Sequence, residues 1–130
     1  MTSPVIQQWH RLVAEKNSSG LGDILADNAV FHSPVVHTPQ EGKAITQKYL
    51  TVAFDVLFNE SFQYMREIIG ERDAMLEFSV ELDGIMVNGV DLIQWNDQNE
   101  IVDFKVMIRS LKAIDVVRER MMQGLQAETQ

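Results

Sequence analysis

The carboxyl group of Asp91 is the first candidate for chemistry in this sequence. It lies in the run Val87 to Trp95, where residues two apart share one face of a predicted strand. If that face is turned inward, burial raises the pKa of the carboxyl group and makes it an acid or hydrogen-bond donor. If Val90 and Leu92 fill the interior instead, Asp91 is solvated or ion-paired at the surface. The alternation alone is compatible with both arrangements.

Two histidines, His32 and His37, flank Pro34 and could supply a general base near the mouth of a pocket. Imidazole titrates close to neutral pH, which suits proton transfer. The interpretation that we favour is that both lie in a loop or at a sheet edge and bond backbone groups. If Ser33 faces inward, strand alternation turns His32 outward unless Pro34 introduces a bulge.

Metal and cofactor chemistry is not expected. A metal site needs three or four convergent ligands, and His32 and His37 are five residues apart across a proline-containing loop. Cysteine is absent, which excludes disulfides, thiolate ligands and cysteine nucleophiles. The third histidine, His10, follows Trp9 on a predicted helix and is expected to face solvent.

The composition is that of one globular domain. The 130 residues are 45% hydrophobic and 23% charged, and we expect a single domain over 1–130 with an ordered core of about 4–124. With 11 basic and 19 acidic residues the net charge is -8, which disfavours nucleic-acid partners. No apolar stretch is long enough to span a membrane and the start of the chain lacks a signal peptide, so the expected location is cytoplasmic.

Helical signals occupy the first half of the chain. Ser3 and Pro4 are typical of a helix start, and Asn17 to Gly20 predicts its end. The further predicted elements are a short helix Leu21–Leu25, a short strand Ala29–Ser33 and a helix from Lys43 to Phe58.

The second half changes to strand periodicity. Leu76 to Leu82 alternate apolar and polar residues, and Asp83-Gly84 is a strong hairpin signal. The other predicted strands are Ser61–Ile69, Val87–Trp95 and Ile101–Arg109. Ser110 is predicted to cap a last helix that ends before Gly124. Helices followed by a meandering sheet predict an α+β fold.

Four strings in this order resemble the nuclear transport factor 2-like superfamily, and within it the SnoaL-like and ketosteroid-isomerase-like small proteins. They are Leu25 to Pro34, Gly42 to Ile45, Asp91 to Asp97, and Val106 to Ser110, where Ser110 replaces the usual proline. The resemblance implies a cone-shaped, curved antiparallel sheet, also called cystatin-like, wrapped around N-terminal helices and followed by a C-terminal helix. It does not imply one function, because this fold hosts isomerases, hydrolases, cyclases, dehydratases and binding domains.

The resemblance also implies positions for isomerase chemistry. Ketosteroid isomerases combine a carboxylate base with a tyrosine and a protonated aspartic acid that bind an oxyanion. The position of the protonated acid corresponds to Asp91, so the resemblance implies that Asp91 points inward. The position of the tyrosine corresponds to Trp9 and that of the base to Ser33. Only the first position keeps its chemistry, so we expect a pocket without the isomerase mechanism.

The predicted function is therefore the binding of a small apolar organic molecule in the cone, without a cofactor. The residues expected to line the pocket are Trp9, Ser33, Phe31, Tyr49, Phe54, Phe78, Trp95 and Phe104, although aromatic residues at this spacing are more often core. The alternative is a cofactor-independent isomerase, cyclase or lyase with Asp91 as acid and His32 or His37 as base. An accessory domain that binds a protein partner through its sheet is a third class.

The outer face of the sheet is the expected partner surface. Asp103, Lys105 and Arg109 have the opposite parity to Phe104 and Val106, and so are predicted to point outward. The simpler interpretation is cross-strand charge pairing on a free surface. Because members of the resembled superfamily commonly dimerise through this face, a homodimer is the favoured prediction.

Overall fold

The computed structural model describes residues 3–128 and confirms the α+β fold. The helices are α1 (Pro4–Glu15), α2 (Lys43–Leu57) and α3 (Leu111–Glu128), with a 3₁₀ segment at Ser18–Asp23. The strands are β1 (Leu25–His32), β2 (Gln40–Glu41), β3 (Gln63–Ile69), β4 (Asp73–Leu82), β5 (Ile85–Trp95) and β6 (Ile101–Arg109). Within the described residues, no helix is long and apolar enough to cross a membrane.

The strands form one curved sheet in the order β2-β1-β6-β5-β4-β3. Strands β3 to β6 form an antiparallel meander, whereas β1 runs parallel to β6. The sheet is therefore mixed, whereas the predicted sheet was antiparallel. The chain reaches this arrangement because α2 and four strands separate β1 from β6, which gives the long connection that a parallel pair requires.

The short helix predicted at Leu21–Leu25 is found only over its first residues, as the end of the 3₁₀ segment Ser18–Asp23. The 3₁₀ segment ends at Asp23, and Leu25 already begins β1 opposite Ile101. The backbone of Ile101 donates to the carbonyl of Ile24 at 2.7 Å, so pairing with β6 extends this stretch. Tertiary pairing thus overrides a local helical pattern, and β1 is longer than the strand predicted at Ala29–Ser33.

The last helix runs past Gly124, which was predicted to follow its end. A Cβ atom at Gly124 would lie 2.5 Å from Cγ1 of Val52 on α2. Glycine is therefore present at this position because two helices approach closely, and it is not a C-terminal cap.

Two local signals are confirmed. The Ser3 hydroxyl accepts from the backbone N–H of Ile6 at 3.3 Å and caps α1, with Pro4 in the first turn. Asp83 and Gly84 both have positive φ, 51° and 80°, as a tight hairpin between β4 and β5 requires.

The faces of the sheet are as predicted. On β6, Phe104 and Val106 are buried while Lys105, Met107 and Arg109 are exposed. On β4 and β5 the buried residues likewise alternate with residues that are partly or fully exposed. The core thus lies on the inner face of the curved sheet, against the helices.

Candidate functional site

Asp91 lies on the inner face of β5 and is only 6% exposed. Its neighbours across the sheet are Leu76 on β4 and Val106 on β6, both buried and apolar. The alternation that left two arrangements open is thus resolved by the sheet, which turns Asp91 inward. A carboxyl group in such surroundings is unusual, because burial penalises its charged form.

A chain of hydrogen bonds connects Asp91 to the first helix. The indole Nε1–H of Trp9 on α1 donates to the Tyr64 hydroxyl oxygen at 2.9 Å. The Tyr64 hydroxyl donates in turn to Oδ2 of Asp91 at 2.9 Å. Trp9, Tyr64 and Asp91 therefore form one connected polar site inside an apolar interior, which we call the Trp–Tyr–Asp chain.

The Trp–Tyr–Asp chain uses only one of the two carboxyl oxygens of Asp91. Tyr64 is the hydrogen-bond partner of Asp91 within residues 3–128, and it occupies Oδ2. In the same part of the chain every fully enclosed side-chain nitrogen or oxygen has a partner, so Oδ1 retains a small accessible surface. Oδ1 is thus the carboxyl oxygen of Asp91 without a hydrogen-bond partner among residues 3–128.

Burial shifts the proton equilibria of both acids. Desolvation raises the pKa of Asp91 to about 7, and the hydrogen bond from Tyr64 partly opposes that rise. Burial, and then the charge of Asp91, raise the pKa of Tyr64 well above its usual value. Near neutral pH, Tyr64 is therefore a hydrogen-bond donor and Asp91 exists in both protonation states.

Aromatic rings surround the Trp–Tyr–Asp chain. Trp9 contacts Phe54 and Phe104, with ring centroids 5.5 and 4.9 Å apart. Contacts then run from Phe54 through Phe58 and Phe62 to Tyr64, with centroid distances of 4.7, 4.6 and 5.1 Å. The hydrogen bond from Trp9 to Tyr64 closes this circuit of rings.

The other residues predicted to line the pocket are spread along the inner face. Phe31, Phe78 and Trp95 are buried, and Tyr49 is half-buried and stacked on Phe31. Gly89 makes room for Phe78, because a Cβ at Gly89 would lie 2.5 Å from Cζ of that ring. These residues are core walls, and their predicted role as ligand contacts remains a prediction.

The structure does not bring the predicted histidines to Asp91. Nε2 of His32 lies 2.8 Å from Oδ1 of Asp103, on the outer face of the sheet. His37 is exposed in the loop after β1. No hydrogen bond or ion pair joins either residue to Asp91 in the described chain.

Ser33, at the position that corresponds to the isomerase base, has a local structural role. Its hydroxyl accepts from the backbone N–H groups of Val35 and Val36, at 3.1 and 3.3 Å. This turn closes one side of a small, mainly apolar cavity of about 20 Å³, opposite Val117 and Met121 of α3. A cavity of that size holds about one water molecule.

Sequence reasoning missed Tyr64 and its neighbours. His10, expected to face solvent, lies with Nε2 2.7 Å from Oε2 of Glu67, and its ring contacts Tyr64. The strand containing Tyr64 was predicted, but a bulge between Tyr64 and Arg66 breaks the alternation that would have shown which residues face inward. Within the described residues, no group of three or more His, Asp or Glu side chains could hold a metal ion.

Comparison with solved structures places the chain in a family. A steroid delta-isomerase from Pseudomonas aeruginosa is 32% identical, with a TM-score of 0.91 over 96% of this chain and 91% of that one. An uncharacterized protein with a cystatin-like fold from Silicibacter pomeroyi is 28% identical, with a TM-score of 0.85 over 92% and 84% of the two chains. No protein-family model matches the sequence, and no curated protein does.

More distant structures share the fold alone. A putative isomerase from Rhodopseudomonas palustris is 14% identical, with a TM-score of 0.69 over 92% of this chain and 99% of that one. The neighbours thus include isomerases and a cyclase-like enzyme. The chain belongs to the nuclear transport factor 2-like superfamily and has the SnoaL-like, ketosteroid-isomerase-like fold.

Substitution of the buried acid tests its energetic role. The folded protein holds the Asp91 proton more tightly than the unfolded chain, so stability is lost as the pH rises from about 4 to about 7. Each pKa unit corresponds to about 1.4 kcal/mol. Asp91→Asn removes this ionisation and keeps an oxygen for Tyr64. Between about pH 5 and about pH 8, the unfolding free energy of the variant should therefore fall by roughly 2 kcal/mol less than that of the wild type.

Urea unfolding monitored across this pH range measures the difference. Asp55→Asn is the matched control, because Asp55 is exposed on α2. Its pH profile should follow that of the wild type. Identical profiles for Asp91→Asn and the wild type would contradict a buried acid.

Proposed function

We propose that this protein is a cytosolic binding protein for a small, mainly apolar organic molecule with one hydrogen-bonding oxygen. The observation that carries the proposal is the free Oδ1 of Asp91 inside an apolar, aromatic interior. Because Tyr64 donates to Oδ2, the proton of the neutral acid is placed on Oδ1. Asp91 is then a donor aimed at a carbonyl or similar oxygen of the ligand.

The surroundings of Asp91 select the rest of the ligand. Its cross-strand neighbours are Leu76 and Val106, and the aromatic circuit begins at Trp9. An apolar body gains from burial here, whereas a charged ligand would lose its hydration without a fixed counter-charge. The preferred ligand is therefore uncharged, with its polar atom at one end.

Ligand entry requires movement of the cone's walls. The cavity enclosed by the Ser33 turn and α3 holds only about 20 Å³, far less than the volume of a small organic ligand. Its walls include flexible Met121 and the turn that Ser33 holds by its hydroxyl. Displacement of this turn or of α3 is the expected route by which the cone admits a ligand.

Binding is tested with a defined probe and with the purified protein. Native mass spectrometry should detect a co-purified small molecule, and an uncharged 3-ketosteroid should quench tryptophan fluorescence on titration. Asp91→Leu, which removes the buried donor and keeps a similar volume, should weaken binding of that probe about tenfold, as the loss of one hydrogen bond at about 1.4 kcal/mol implies. Asp55→Asn should not change it.

Two results would contradict this proposal. Absence of both a co-purified molecule and probe binding would refute the binding function. Equal binding by Asp91→Leu and the wild type would refute the role of Asp91 as the polar anchor.

A proton-transfer isomerase is the second candidate. It is favoured by the 32% identity to a steroid delta-isomerase and by a carboxyl group that titrates near 7. It is disfavoured because Ser33 lacks a basic group and His32 bonds Asp103. The same enzyme class with Asp91 as acid needs His32 or His37 as base. The double variant His32→Asn/His37→Asn should therefore abolish any movement of a steroid double bond followed by ultraviolet absorbance.

We propose that the outer sheet face joins two copies of the chain. It carries an apolar groove of about 440 Å³ whose lining includes Ile68, Met75 and Leu92. On β6, Asp103 lies near one end and Arg109 at the other, so a two-fold axis across the middle of β6 would place Arg109 of one copy near Asp103 of the second. This self-complementarity supports a homodimer.

A charge placed on this face should separate the dimer. Met107 is 50% exposed on β6, and Met107→Glu should give a monomer by light scattering at micromolar concentration where the wild type is a dimer. Met122 on α3 is 51% exposed, and Met122→Glu should remain dimeric. A wild-type monomer, or a dimeric Met107→Glu, would contradict the interface.

A further inference from the structure

A pair of polar side chains, His10 and Glu67, lies beside the Trp–Tyr–Asp chain, where that chain approaches the surface. His10 follows Trp9 on α1, and its Nε2 lies 2.7 Å from Oε2 of Glu67 on β3. Both side chains are about one-third exposed, at 35% and 31%. The His10 ring contacts Tyr64 edge-on, with centroids 5.2 Å apart and planes at 75°.

The β-bulge in β3 explains how this contact arises. In a regular strand, residues three apart point to opposite faces. The register shift between Tyr64 and Arg66 inserts one extra residue, so Tyr64 and Glu67 both fall on the inner face, opposite Phe78 and Leu76. Bulges commonly redirect side chains next to functional sites.

The consequence is that Tyr64 is held from two directions by adjacent residues of one helix. Trp9 bonds its hydroxyl oxygen, and His10 packs against its ring while Glu67 fixes His10. Tyr64 lies on an edge strand, since β3 has β4 as its only neighbour in the described sheet, so contacts from α1 take the place of a second neighbouring strand.

We propose that His10 and Glu67 are positioning residues, which hold the Tyr64 hydroxyl on Oδ2 of Asp91 and so leave Oδ1 to the ligand. This role rests on the proposed binding function. His10 and Glu67, which do not touch the ligand, thereby determine which oxygen of Asp91 is occupied by Tyr64 and which is left for the ligand.

The indole N–H of Trp9 reports the position of Tyr64 in the free protein, because it donates to that hydroxyl. Trp95 is also buried and supplies an internal reference in the same NMR spectrum. In His10→Ala and Glu67→Ala, hydrogen exchange of the Trp9 indole should accelerate about tenfold or more while that of Trp95 is unchanged. Glu67→Gln keeps an acceptor for His10 and should restore most of the protection.

Two further variants complete the experiment. Tyr64→Phe removes the acceptor and sets the maximal effect, and His37→Ala, in an exposed loop, should match the wild type. Unchanged Trp9 exchange in His10→Ala would overturn the proposal, as would a parallel rise at Trp95, which indicates general loosening. Because no ligand is used, these outcomes are independent of the test of binding with the 3-ketosteroid.

Discussion

The site depends on one physical conflict, the burial of a carboxyl group in an interior that has little else polar to offer it. Asp91 is fixed on the inner face because a shift by one residue would expose the apolar residues of β5. The sheet therefore determines where the carboxyl group lies, and desolvation determines its protonation. Tyr64 relieves part of the conflict by donating one hydrogen bond.

Other parts of the fold are arranged around this bond. Trp9 connects α1 to Tyr64, and the aromatic circuit from Phe54 to Phe62 connects α2 to β3. These contacts exclude water, which strengthens the hydrogen bonds and keeps Asp91 from full ionisation at neutral pH. The same packing leaves little open volume, so affinity for a ligand must exceed the free energy needed to open the cone.

Much of this architecture was predictable from local signals. The hairpin at Asp83-Gly84, the cap at Ser3 and the alternation of β4 to β6 depend on neighbouring residues, and the structure confirms them. The superfamily and the inward orientation of Asp91 followed from resemblance in four strings. The parallel pairing of β1 with β6 did not follow, because it depends on residues far apart in the chain.

The parts of the site that sequence reasoning missed have one physical cause. Tyr64 and Glu67 lie on a strand whose bulge breaks the two-residue period, and His10 contacts them from a different element. Strand alternation predicted that His32 points outward, as it does. Its partner Asp103 became evident only from the register of β1 and β6. Neither contact leaves a signal in the spacing of residues.

The most direct measurement is an NMR titration of the Asp91 carboxyl carbon in the wild-type protein. We expect a midpoint of about 7, displaced upward by burial, with the Trp9 indole resonance shifting over the same pH range. A midpoint at or below 3.8, the value of an ordinary aspartic acid, would contradict the buried acid on which the site depends.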